Sequence, residues 1–163
     1  MKTAGLMLIL LAAVTAGCSA SAALKAKTGQ ARLLRLLLTR ICGELRANLP
    51  LISDLLRTLA GQAEFSGLQF LQDAAAHAEN FPACWQEALD RDRSLHADAR
   101  GVMETVGRVL GSLPLDEQLA ALALCQERLA EIAARCGETE RRKGTLYRSL
   151  GVLGGLFFVI LLL

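Results

Sequence analysis

Two histidines and five cysteines are the residues of this chain best suited to metal or redox chemistry, and their spacing argues against both. His77, Cys84 and His96 supply ligand types, but their intervals match no zinc motif, so no metal site is expected. Cys18, Cys42, Cys84, Cys125 and Cys136 follow no C-x-x-C pattern. An odd, scattered set suits reduced thiols, with Cys125 and Cys136 serving as small core residues on a helical face. Lys143-Gly144-Thr145 scrambles the end of a phosphate loop and lacks the upstream glycines that would wrap a phosphate. Asp90 and Asp92 sit in a charged stretch without the apolar wall that would tune a carboxyl group as a general acid. No catalytic residue, no cofactor and no metal is assigned. The chain reads as an interaction protein, not an enzyme.

One pattern would carry covalent chemistry. Thr15-Ala16-Gly17-Cys18 resembles a lipoprotein processing site, with Lys2 as a minimal basic region and residues 4–14 as the apolar stretch. On that reading Cys18 is lipidated and the chain is an extracytoplasmic helical binding protein. Two observations oppose it. The uncharged run continues six residues past Cys18, and the basic flank then falls on the wrong side of the membrane.

The elements that would position these residues begin with the two ends. Residues 3–24 hold no charge, and a bilayer-spanning helix needs roughly 20 apolar residues. Lys25, Lys27, Arg32, Arg35 and Arg40 follow, with no acid before Glu44. At the other end, Arg141, Arg142, Lys143 and Arg148 precede an uncharged tail, residues 149–163. Basic residues flank the cytoplasmic side of spans, so both clusters predict a cytoplasmic central domain. They also suit anionic membrane lipid. Residues 41–140 carry 8 Arg against 16 Asp and Glu, a net of −8 that the whole-chain +2 conceals. An acidic body excludes nucleic acid as a partner, since phosphates need clustered Lys and Arg.

The expected organisation is thus an N-terminal transmembrane helix (1–24), a cytoplasmic helical domain (25–148) and a hydrophobic C-terminal membrane segment (149–163). As a helix the tail reaches only about 22 Å, short of a full crossing. It either spans a thinned bilayer, with Arg148 snorkelling and Tyr147 at the interface, or packs half-buried against a partner. Gly151 and Gly155 are spaced G-x-x-x-G, which lets helices approach closely in lipid, and Ala13, Gly17 and Ser21 give the first run a matching face. A packed hairpin of the two ends and a mere accumulation of glycines both remain open. So does a homo-oligomer.

The middle is rich in Leu, Ala, Arg and Glu, and predicts an all-α antiparallel bundle of about six helices. The first covers residues 28–49, with Leu34, Leu38, Ile41 and Leu45 inward. Pro50 interrupts it, and residues 51–60 form the second. Phe65-Ser66-Gly67-Leu68-Gln69-Phe70 predicts a capped start, with Ser66 as cap, Gln69 as capping-box partner and Phe65 stapled to Phe70, on a helix ending near residue 79. A fourth helix carries Trp85 and Leu89. A fifth spans residues 95–113, with Val102, Val106, Val109 and Leu110 inward. The last follows Pro114-Leu115-Asp116, with Leu122, Cys125, Leu129, Ile132, Cys136 and Thr139 in a 3-4-3-4 stripe. It either runs unbroken into the tail or breaks near Gly144. The acidic middle, including Glu79, Glu87, Asp90 and Asp92, is expected to be exposed, as a partner face or as a solvated surface.

The residues also resemble a family, stage III sporulation protein AB of endospore-forming bacteria. The similarity lies in the apolar opening with Gly5 and Thr15-Ala16-Gly17, in Ile41-Cys42-Gly43-Glu44 followed by Leu49-Pro50-Leu51, and in Trp85-Gln86-Glu87-Ala88-Leu89. It continues through Val106-Gly107-Arg108-Val109-Leu110-Gly111, with Asp116 and Gln118 closer together here than in the family. It is most specific in Lys143 with Leu146-Tyr147-Arg148-Ser149-Leu150-Gly151-Val152-Leu153-Gly154-Gly155-Leu156. The resemblance implies a mother-cell membrane component of a secretion-like channel complex joining mother cell and forespore. It implies a cytoplasmic helical domain similar to that of the type II secretion system protein F. It also implies a secretion-type ATPase and other channel subunits as partners.

Overall fold

In a computed structural model, the backbone of residues 2–162 and the side chains of residues 25–139 are described. Every element is helical, and no strand occurs among the described residues. Two compact units emerge, one of residues 29–133 and one combining residues 1–28 with 134–163. Among the described residues no helix is long and apolar enough to cross a membrane. The expected spans, and with them Gly17, Cys18, Gly151 and Gly155, lie outside the described side chains.

Helix α1 runs from Lys2 to Asn48 and supplies one wall of the 29–133 unit. Ala31, Leu34, Leu38, Ile41 and Leu45 step by three or four and are buried, together with Leu37. Pro50 disfavours helix at Leu49, whose φ turns to 43°, and the helix stops. Helix α2 (Ile52–Ala60) follows and buries Leu55, Leu56 and Leu59. Helix α3 is Gln69–Ala76, α4 is Ala83–Arg91, α5 is Ala97–Val109 and α6 is Leu115–Leu162. Helix α2 packs on α3, α3 on α4, and α4 on α5.

The centre of the unit is aromatic. Phe70 meets the Trp85 ring edge-on at 5.3 Å, and Phe81 does so at 6.2 Å. The indole Nε1 donates to the Met103 carbonyl oxygen at 2.8 Å, so its polar atom is satisfied inside the core. Gly107 lies flat against this indole, and a Cβ there would overlap the ring. Polar side chains tie neighbouring elements. Gln30 Nε2 donates to the Ser94 carbonyl oxygen (3.0 Å), while its Oε1 accepts from the His96 N–H (3.1 Å). Gln72 Nε2 closes on the Ala60 carbonyl oxygen at the end of α2 (2.9 Å). Buried Gln118 donates from Nε2 to the Val109 carbonyl oxygen (3.2 Å), joining the start of α6 to the end of α5.

The structure departs from the sequence reading at several element ends. Ser66 does not cap α3: its hydroxyl donates to the Ala63 carbonyl oxygen (2.8 Å) within a 3₁₀ turn, Ala63–Phe65, that buries Phe65. Gln69 reaches forward to Asp73 instead of back. The helix starts at Gln69 without a local side-chain cap and ends at Ala76, not near residue 79, giving way to a second 3₁₀ turn at Ala78–Asn80. Helix α5 begins and ends inside its expected limits. Leu110 already leaves the helical region, and Gly111 has φ 77°, where a side chain would be strained. The backbone of α6 stays helical past Gly144. Of its stripe, Leu122, Cys125, Leu129 and Ile132 are buried, Cys136 is half-buried and Thr139 is exposed.

Candidate interaction surfaces

The four acids singled out in the sequence part company in the structure. Glu79, Glu87 and Asp90 are exposed, and each finds an arginine. Glu79 pairs with Arg57 at 2.7 Å, Glu87 with Arg91 at 3.0 Å, and Asp90 with Arg100 at 3.9 Å. Exposed pairs of this kind contribute about 0–1 kcal/mol each, so they shape the local charge more than the stability.

Asp92 does not belong to that face, because it is buried. Its Oδ2 accepts from the Phe70 N–H (3.3 Å) and its Oδ1 from the Ser94 N–H (2.9 Å) and hydroxyl (2.6 Å). Its carboxylate therefore does for α3 what Ser66 was expected to do. It acts as an N-terminal cap, reaching back 22 residues from the end of α4. Arg100 donates to the Asp92 carbonyl oxygen (2.7 Å) and fixes the turn from outside. No local sequence signal announces such a cap, because the helix and its cap come from different elements.

Three of the thiols are core residues. Cys42, Cys84 and Cys125 are buried and free, and burial pushes each thiol above its ordinary 9.0. Gln126 Nε2 lies 3.5 Å from the Cys42 sulfur, joining α6 to α1. Cys84 is buried whereas His77 is exposed, and no group of His, Cys, Asp and Glu among the described residues is arranged to hold a metal ion.

A surface that the sequence reading did not single out lies where three connections meet. The α1–α2 corner, the segment before α4 and the α5–α6 corner enclose a groove of about 470 Å³. Pro50, Leu51, Ile52, Phe81, Pro82 and Leu110 give it apolar walls, and Glu79 and Arg108 line it as well. The Phe81–Pro82 peptide bond is cis. Gly111 closes one side against the Ile52 side chain, which leaves no space for a Cβ. Leu51 on the rim of this groove is 72% exposed and the adjacent Leu49 65%, the most exposed large hydrophobic residues described. The available signal was Leu49-Pro50-Leu51 itself: a proline that breaks a helix between two leucines forces both into a turn, where burial is hard to achieve.

Comparison with known proteins agrees with the resemblance carried by the motifs. The family model described as stage III sporulation protein AB matches residues 2–163. No curated protein and no solved structure gives a significant match. With essentially its whole length matched by that one model, the chain belongs to the stage III sporulation protein AB family.

Proposed function

We infer that this protein is a non-catalytic membrane subunit of a secretion-like sporulation channel between mother cell and forespore. Residues 25–148 act as an antiparallel helical bundle in the mother-cell cytoplasm, a platform for a secretion-type ATPase and other channel subunits. Residues 1–24 span the membrane and residues 149–163 enter it, with Gly17, Gly151 and Gly155 as packing positions. Family membership over residues 2–163 carries this reading. The uncharged ends and the basic bands beside them support the topology. The net charge of −8 over residues 41–140, with Glu79, Glu87 and Asp90 exposed, supports a docking role for the acidic body. Complementary charge of that kind mainly speeds association and selects the partner.

The test is purification of the tagged full chain from membranes of sporulating cells, at low and high salt. Co-purification of the ATPase that weakens with salt, and with charge reversal at Glu87 and Asp90, is the expected result. An ATPase that never co-purifies, or lipid found on Cys18 with the domain outside the cell, would overturn the reading.

A further inference from the structure

We propose that the corner built around Leu49-Pro50-Leu51 is a self-association face that docks a second copy of this chain about a twofold axis. A twofold interface presents the same patch from both subunits, so the patch must complement itself, as a projection with its recess does and as charges of both signs do. This corner holds all of them. Leu49 and Leu51 project, at 65% and 72% exposure. Leu51 forms the rim of the groove of about 470 Å³, whose walls also hold Ile52, Phe81 and Leu110. Glu79 and Arg108 line that same groove. Arg108 donates to the Thr105 hydroxyl (3.3 Å) and forms no ion pair among the described residues. The Glu79 side chain is 84% exposed even while paired with Arg57, so its carboxylate has room for a second cation.

Two copies facing each other therefore set the leucines of each at the groove of the other, and Arg108 of each near Glu79 of the other. The backbone adds a reason of its own. Leu49 is held at φ 43°, a conformation that leucine rarely adopts, and in a single copy its exposure brings no compensating burial. Burial against a second copy supplies it.

A basic partner drawn by the acidic body is the rival occupant, and the mass of the cross-linked product separates the two: twice the chain for a second copy, another mass for a different protein.

The experiment places a cysteine at Ser53, on the groove wall, in the full chain in native membranes, and treats it with a short bismaleimide. The wild-type chain serves as the background. The expected product is a cross-linked homodimer. Adding Leu51→Asp should reduce it at least about tenfold, as loss of a central apolar anchor does. Arg108→Glu should reduce it as well, and Glu79→Arg in the same chain should restore it. Circular dichroism on each purified variant confirms an unchanged helix content. No homodimer above background, cross-linking to a different protein, insensitivity to Leu51→Asp, or failure of the charge exchange to restore the product would each overturn the proposal.

Discussion

At the scale of single residues, burial separates two acids only five positions apart. Glu87 is exposed and holds Arg91 across one helical turn, whereas Asp92 is buried and accepts three hydrogen bonds. Removing the Asp92 carboxylate leaves two backbone N–H groups without their acceptor, and each such loss costs about 1–3 kcal/mol. We expect Asp92→Ala to lower the unfolding free energy by about 3 kcal/mol, and Glu87→Ala to stay within about 0.5 kcal/mol. Urea titration in mild detergent, read by the fluorescence of the single Trp85, measures both. Equal effects at the two positions would contradict the cap.

The thiols give a second residue-scale test. Burial holds Cys42, Cys84 and Cys125 above 9.0, so the folded chain keeps protons that the unfolded chain releases. That contribution to stability is complete below about pH 9 and falls as the pH rises through the raised values. Stability should therefore decline on the alkaline side. Near neutral pH, mass spectrometry of the alkylated native protein should find half-buried Cys136 modified before the buried Cys42, Cys84 and Cys125. Early modification of Cys84 would contradict its burial.

At the scale of elements, the sequence made the helical interiors legible and hid several of their ends. Leu34, Leu38, Ile41 and Leu45 on α1, and Leu122, Cys125, Leu129 and Ile132 on α6, are buried as their period requires. The motif around Ser66 satisfies a local capping rule, yet the burial of Phe65 in a 3₁₀ turn and a distant Asp92 decide where α3 starts. Tertiary contacts overrode local propensity there. The groove stayed hidden for a related reason: its walls come from three connections that no sequence window contains together. For the apolar tail the expectation concerns assembly. If Gly151 and Gly155 form a packing face, Gly→Leu at both blocks close approach, at a cost of about 1–2 kcal/mol in lipid. Assembly and sporulation should fall, while the urea transition reported by Trp85 stays in place. Normal sporulation by the double variant would reduce the glycines to filler.

At the scale of the whole molecule, charge and hydropathy divide the chain along its length. Apart from Lys2, every Lys, Arg, Asp and Glu lies between two uncharged runs, with basic residues next to those runs and acidic residues away from them. That order is the physical basis for proposing a domain on the cytoplasmic face, and the proposed docking to an ATPase depends on it. Native Cys84 is too buried to report the side, so the reporter must be an exposed residue such as Asp98. Asp98→Cys in the full chain should resist a membrane-impermeant maleimide in intact cells and react fully once the cells are permeabilised, beyond the labelling of the wild-type chain. Labelling of that cysteine in intact cells would place the domain outside and contradict the account.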